Sequence, residues 1–273
     1  MHDIQITIGL IEQLIEITKE AGKAILEVYN TNFDYQIKED LSPLTKADTL
    51  SNKIICERLK ALTPDTPILS EESSDVPFHT RSLWKQYWLV DPLDGTKEFI
   101  NRNGEFTVNI ALINNNEPVF GVIYIPVNNR LFWGSRNYGS YEINNGIGER
   151  QIHVADKNLK KIACSRSHGN PEFNNFLEKL DTYSTIKIGS SLKFCLIANG
   201  EIDIYPRLGP TSEWDIAAGE AILRSAGGCI IDLEEKNILY NKKNIINPSF
   251  IAASNLHTAG EILNLITIKE NNK

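Results

Sequence analysis

The 273-residue sequence predicts a mixed protein, an α+β half followed by an α/β half, and three observations predict it. Apolar residues recur at three- and four-residue steps from Ile8 to Tyr29. Between Tyr87 and Ile152 the period falls to two. After about Asp156 short apolar strands alternate with helical stretches. Periods of 3.6 and 2 mark helix and strand respectively.

In chain order, Leu10, Leu14, Ile17, Ala21, Ala24, Ile25 and Val28 form the buried stripe of a long first helix. Its approach, MHDIQITIGL, carries an acid and no basic cluster, which argues against a secretory leader. The stretch TNFDYQIKEDLSPLTKAD has no period and reads as a loop. Lys38, Glu39 and Asp40, ahead of a Ser-Pro step, make it a candidate lid. Asp48 is the expected N-cap of a second helix running to about Leu62, with Ile54, Ile55 and Leu59 inward. PILSEES then reads as a short strand ending in Glu71 and Glu72.

YWLVD, FTVNIALI, PVFGVIYIPV, RLFWGS and GSYEI form a mostly antiparallel meander broken by Asn/Gly turns. The remainder reads as KIACS, a helix near Pro171–Leu180, TIKIG, a helix from Ser191 and DIYPR. A helix over Trp214–Ala226, CIIDL, SFIAAS and a last helix complete it. No repeat or linker separates the halves, so residues 1–155 and 156–273 are expected to form two subdomains of one compact unit.

Composition excludes several functions. A hydrophobic fraction of 41% with 23% charged residues suits an ordinary globular enzyme. Cys56, Cys164, Cys195 and Cys229 are scattered without a CxxC pair, which points to reduced thiols in the cytosol. A peripheral seat on the cytoplasmic face of the inner membrane stays open. No apolar run approaches the ~20 residues of a membrane span. A net charge of −7 without a basic stripe argues against a nucleic-acid polymer as partner.

The chemistry concentrates in YWLVDPLDGTKEF, where Asp91 and Asp94 flank Pro92 and Leu93 directly after a buried strand. Pro92 forces a turn, and Gly95 permits a backbone conformation that other residues resist. The amides of Gly95 and Thr96 then open a short helix, a setting that favours an anion. A lone DxxDG would be no more than an Asx-type turn. Glu71 and Glu72 in SEES, Asp215 in SEWDIAAGEAIL and Asp48 in SPLTKAD add further acids at element ends. Each alone is explained as an exposed acid or a helix N-cap. Converging, they would have to bind protons or cations. An oxygen-only donor set selects hard cations, Mg2+ first, and two such ions can activate a water against a phosphate ester.

SEES, DPLDGT and WDIAAGEAIL, in this order, resemble the inositol monophosphatase-like superfamily of Mg2+-dependent, lithium-sensitive phosphatases. DPLDGTKEFINRNGEFTVNIALI and GSSLKFCLIANGEIDIYPRLGPTSEWD are similar to its 3′(2′),5′-bisphosphate nucleotidase branch. The resemblance implies an αβαβα layered sandwich. It also implies removal of the 3′-phosphate of adenosine 3′,5′-bisphosphate, a by-product of sulfate assimilation. Glu71, Asp91 and the Leu93 carbonyl would hold one Mg2+ and Asp91, Asp94 and Asp215 a second, with a weaker third near Glu71 as an option. Thr96 and Asp48 would orient and deprotonate the attacking water, and the Gly95 and Thr96 amides would cradle the phosphate.

Ser190, Lys193, Arg207 and His168 would hold the rest of the nucleotide. Read on their own, Lys193 is as well a solvated helix residue and Arg207 a surface ion-pair partner, while His168 suits a loop. Trp214 suits the core, and Glu72 a place beside a ligand rather than a ligand's place. Two other functions compete: a phosphatase for inositol monophosphate or a sugar bisphosphate, and a nucleotide- or metal-sensing protein without turnover. A homodimer stays open.

Overall fold

The computed structural model describes residues 3–38, 43–156, 159–166 and 183–267. Helix α1 (Ile8–Tyr29) is capped by the Thr7 hydroxyl and packs against α2 (Lys46–Leu62). Both lie on one face of a seven-stranded sheet. Its strands, in spatial order, are β3 (Ile68–Ser70), β4 (Gln86–Asp94), β5 (Thr107–Asn114), β6 (Glu117–Ile125), β7 (Arg130–Ser135), β8 (Gly139–Asn144) and β9 (Gly148–Ile152). β3 runs parallel to β4, and every later pairing is antiparallel. Along β4, Trp88 and Val90 join the α1/α2 core while Tyr87 and Leu89 join the core on the opposite face. The unbroken apolar run YWLV is thus the signature of a strand buried on both sides.

A second sheet has five strands in the order β11-β10-β12-β14-β13. They are β10 (Lys161–Ser165), β11 (Ser184–Ile188), β12 (Ile204–Arg207), β13 (Cys229–Asp232) and β14 (Phe250–Ala253). Helices α5 (Leu192–Ala198) and α6 (Glu213–Ser225) fill the space between the sheets, and α7 (Leu256–Thr267) covers the outer face. The layers therefore run helix, sheet, helix, sheet, helix, the expected αβαβα sandwich. No helix among the described residues is long and apolar enough to cross a membrane.

The expected loop between α1 and α2 is instead a small hairpin of β1 (Tyr35–Ile37) and β2 (Pro43–Thr45). β1 is exposed along its whole length, so no burial imposes the alternation that would reveal it. Glu39, Asp40, His168 and the helix expected near Pro171–Leu180 lie outside the described residues. Two short helices, α3 (Phe78–Arg81) and α4 (Thr96–Ile100), flank β4.

The seat of α6 is set by a glycine. A Cβ on Gly121 of β6 would lie 2.3 Å from the Ala218 carbonyl oxygen, so helix and sheet meet backbone to backbone. Ala218 at the contact is small enough to permit this approach, while Gly219 one residue on makes room for the Phe194 ring of α5. Because the atom in the way is main chain, Gly121→Ala is expected to destabilise the protein by at least the ~1–3 kcal/mol of an overpacked core. Urea denaturation measures this; an unchanged midpoint would show that α6 can retreat without penalty.

Candidate active site

Asp91 and Asp94 are three residues apart, a spacing that places side chains on opposite faces of a regular strand. Here the register breaks. Asp91 pairs with Asn109 and Asp94 with Thr107, so three steps on β4 match two on β5. The extra residue is a β-bulge, at the point where Pro92 has no N–H to offer the ladder. It brings both carboxylates to one cleft. The bulge is tied down by the buried Ser51 hydroxyl of α2, which donates to the Pro92 carbonyl at 2.7 Å. Gly95 follows with φ 91°, in the left-handed region, and α4 begins at Thr96.

The other two aspartates are not N-caps. Thr45 and Ser212 take those positions, and Asp48 and Asp215 are the third residues of α2 and α6, closing capping boxes. Asp48 Oδ2 accepts from the Thr45 amide at 2.7 Å and the Thr45 hydroxyl at 2.6 Å. Asp215 Oδ2 accepts from the Ser212 amide at 2.8 Å. A capping box occupies one carboxylate oxygen and, by fixing the side-chain rotamer, sets where the other oxygen points. Asp48 Oδ1 accepts from the Thr96 hydroxyl at 3.1 Å, joining the two residues expected to act together. That hydroxyl also lies 3.3 Å from the Leu93 carbonyl.

Asp91 Oδ1 accepts from the Leu93 amide at 3.1 Å, and Asp94 Oδ2 from the Ser191 amide at 2.5 Å. Glu71, in the single 3-10 turn after β3, pairs with Lys38 at 3.0 Å, and Lys38 also reaches Glu72 at 2.6 Å. Burial raises the Asp91 carboxyl well above the usual range, and the charges of Glu71, Asp94 and Asp215 raise it further. Asp215 is driven up by burial and then by Asp94 and Glu71. Burial raises Asp94 too, with the Lys193 ammonium and the Ser191 amide opposing.

The cleft of about 520 Å³ that these acids line is bounded opposite by Ser165, Ser190, Lys193, Arg207 and Trp214. Lys193 is neither solvated nor free. Its ammonium donates to the carbonyls of Ser190 at 2.5 Å and Ile188 at 3.3 Å and sits 4.9 Å from the Tyr205 ring centre. Arg207 is likewise no surface ion-pair partner: it is buried and donates to Ser165 Oγ and to the carbonyls of Gly209 and Pro210. Trp214 is buried, as expected, on the helix that carries Asp215.

Among the described residues, no three Asp, Glu, His or Cys side chains already close on one point as a metal cage. The donor set nonetheless suits hard cations. Asp91, Asp94 and Asp215 each keep an oxygen that no described protein donor reaches, and the Leu93 carbonyl retains a lone pair. Carboxylates crowded in this way are neutralised by protons or by cations.

Glu71, Asp91, Leu93, Asp94, Gly95, Thr96, Ser190, Lys193, Arg207 and Asp215 therefore share one cleft, with Asp48 bonded to its edge. Ser191 and Asn109 carry no signal in the sequence, and Lys38 stands out there only as a candidate lid residue, not as the partner of Glu71 and Glu72. Ser191 lay inside the quoted GSSLK stretch, but nothing there indicates that its amide meets Asp94, 97 residues away. Lys38 could have been singled out as the cation among the candidate lid residues.

A five-layer sandwich with buried carboxylates gathered on a strand bulge and two helix starts defines a phosphatase class whose acids suit metal ions. The model of the inositol monophosphatase family matches residues 9–266, and the chain belongs to that family. It is 45% identical over 244 residues to the 3′(2′),5′-bisphosphate nucleotidase CysQ of Salmonella typhimurium, covering 88% of this chain and 98% of that one. Its fold matches the crystal structure of CysQ from Bacteroides thetaiotaomicron with a TM-score of 0.79 at 38% identity, over 89% of this chain and 96% of that one. It also matches the extragenic suppressor protein suhB of Bartonella henselae, with a TM-score of 0.81 at 26% identity over 95% and 98% of the two chains.

The repulsion at Asp91 has a measurable consequence. Asp91→Asn keeps an oxygen for the Leu93 amide and removes a buried charge. In chelator-treated protein it is expected to raise stability by about 1–3 kcal/mol, the converse of leaving a charge buried and unpaired. Phosphatase activity should fall at least ~100-fold, as when an electrostatic group of an active site is removed. Thermal melts without metal, beside a phosphate-release assay, read both effects; a destabilised variant would refute the repulsion account.

Proposed function

We propose that the chain is a Mg2+-dependent 3′(2′),5′-bisphosphate nucleotidase that hydrolyses the 3′-phosphate of adenosine 3′,5′-bisphosphate to AMP and phosphate. The carrying observation is that one cleft joins an acid cluster to a wall bearing the Lys193 and Arg207 cations. A doubly phosphorylated nucleotide uses both, whereas a neutral polyol monoester uses only the first. The names of the curated relatives support the same reading.

On this reading Glu71, Asp91 and the Leu93 carbonyl hold one Mg2+, and Asp91, Asp94 and Asp215 another; a third near Glu71 would compete with Lys38. These ions supply charge neutralisation and a more acidic water. The chain's own residues do the rest. Thr96 holds the attacking water through its hydroxyl oxygen, and the water's proton passes by that hydroxyl to Asp48. Burial raises the Asp48 carboxyl despite the opposing Thr45 bonds, which suits it to accept a proton. The new P–O bond forms as the bond to the 3′-oxygen breaks, and that oxygen takes up a proton. The amides of Gly95 and Thr96 face the phosphate, while Ser190, Lys193 and Arg207 face the ribose and the 5′-phosphate. His168 belongs to this list on resemblance alone. We read residues 1–155 as the subdomain carrying most metal ligands and 156–273 as the one adding Asp215 and the nucleotide wall.

Phosphate release with Mg2+ from adenosine 3′,5′-bisphosphate, inositol 1-phosphate and fructose 1,6-bisphosphate, each with and without lithium, tests the reading. Strong preference for the nucleotide, suppressed by lithium, is expected; preference for either other ester would overturn it. Asp48→Asn should lower kcat by roughly 10²–10⁴-fold, the usual contribution of a positioned base, while nucleotide binding persists. Retained turnover in that variant would remove Asp48 from the chemistry.

A further inference from the structure

Ser191 is the N-cap of α5, yet its hydroxyl makes no capping bond. A serine at this position ordinarily caps. Here the hydroxyl turns to Asn109 of β5 and donates to its Oδ1 at 2.8 Å. Ser191 Oγ also lies 2.8 Å from Thr107 Oγ1. A serine hydroxyl has one proton, and Asn109 Oδ1 can only accept, so Thr107 must donate to Ser191. Asn109, held with its oxygen toward Ser191, turns its NH2 toward Asp94 Oδ2 at 3.5 Å. The proton order is therefore fixed along Thr107, Ser191, Asn109 and Asp94. Thr107, Asn109 and Ser191 are all buried, and the chain of bonds crosses from the first sheet to the loop that follows β11 in the second.

We propose that Ser191 is a positioning residue that acts on Asp94 twice, through its own amide and through Asn109. Both donors, the amide at 2.5 Å and the longer Asn109 contact at 3.5 Å, fall on Oδ2 and leave Oδ1 without a described donor, so that Asp94 would bind a cation through Oδ1. The loop that makes this contact also holds Ser190, at φ 50°, with the Lys193 ammonium on its carbonyl. A ligand that shifts this loop must shift Asp94 as well. Divalent cation and nucleotide then influence each other's affinity by the same factor, since coupling between two binding events is reciprocal. This second consequence rests on the nucleotidase reading; the first does not.

Calorimetric titration of Mg2+ into the full chain, with and without AMP, tests both. Ser191→Ala keeps the amide but lets the Asn109 side chain rotate. It is expected to weaken Mg2+ binding about 10-fold, as loss of a group that orients a metal ligand does. It should also reduce the effect of AMP on Mg2+ affinity. Ser191→Thr, which keeps the hydroxyl, should restore both, and Thr107→Val, which leaves the Ser191–Asn109 bond intact, should change Mg2+ affinity less than Ser191→Ala. Should Ser191→Ala not fold, Asn109→Ala removes the same last link and is expected to weaken Mg2+ alike. Mg2+ affinity within twofold of wild type, or equal weakening in the Ala and Thr variants, would overturn the proposal. A wild-type protein that ignores AMP, with the Mg2+ results as expected, would leave Ser191 in this role and overturn the coupling of cation and nucleotide, while the nucleotidase reading itself stands or falls on the substrate panel.

Discussion

The structure turns on the mutual repulsion of carboxylates held close together inside it. Asp48, Asp91, Asp94 and Asp215 solve the problem in one way: each gives one oxygen to a backbone amide of its own chain. Those amides belong to Thr45, Leu93, Ser191 and Ser212. A bonded carboxylate cannot rotate away from its neighbours, so the second oxygen stays where the cleft needs it. Backbone donors also carry no net charge, so they orient the acids without neutralising them. Glu71 is the exception, because its partner is the Lys38 ammonium, which other cations can replace.

Most of the remaining architecture serves to hold those amides in place. Two of the donors are the N-caps of α2 and α6, which are positioned by burial on opposite faces of the first sheet. The third comes from the bulge in β4, the fourth from a loop of the second sheet. Backbone contact at Gly121 limits the freedom of α6, and the Ser51 bond limits that of the bulge relative to α2. The site thus lies on the seam between the sheets, and small displacements between the layers would reach every acid at once.

The layered fold and the acids at element ends were legible because each has a local signature: a period, a turn-forming proline and glycine, an acid beside a helix start. The capping roles were displaced by three residues because TKAD and TSEWD each offer a hydroxyl and an acid, and sequence does not say which caps. The hairpin of Tyr35–Ile37 was hidden because an exposed strand needs no alternation. Lys193 looked solvated and Arg207 like a surface ion-pair partner because their partners are mostly backbone carbonyls, which leave no trace in residue type. The Ser191–Asn109 contact joins separate sheets, and only the fold reveals it.

Lys193 of α5 and Arg207 of β12 do not treat the acids equally. Lys193 opposes the upward drift of Asp94, and Arg207 opposes that of Asp215. For Asp91 the leading influences are burial and three negative neighbours, countered by the Leu93 amide alone. Opposite charge at short range outweighs a single amide bond in a buried setting. An anionic ester approaching before the charge of these acids is balanced meets repulsion from Asp91; approaching afterwards, it meets the amides at the start of α4 and the arginine across the cleft. The tight turn of DPLDGT thus crowds two aspartates where repulsion between them favours a positive charge in the cleft.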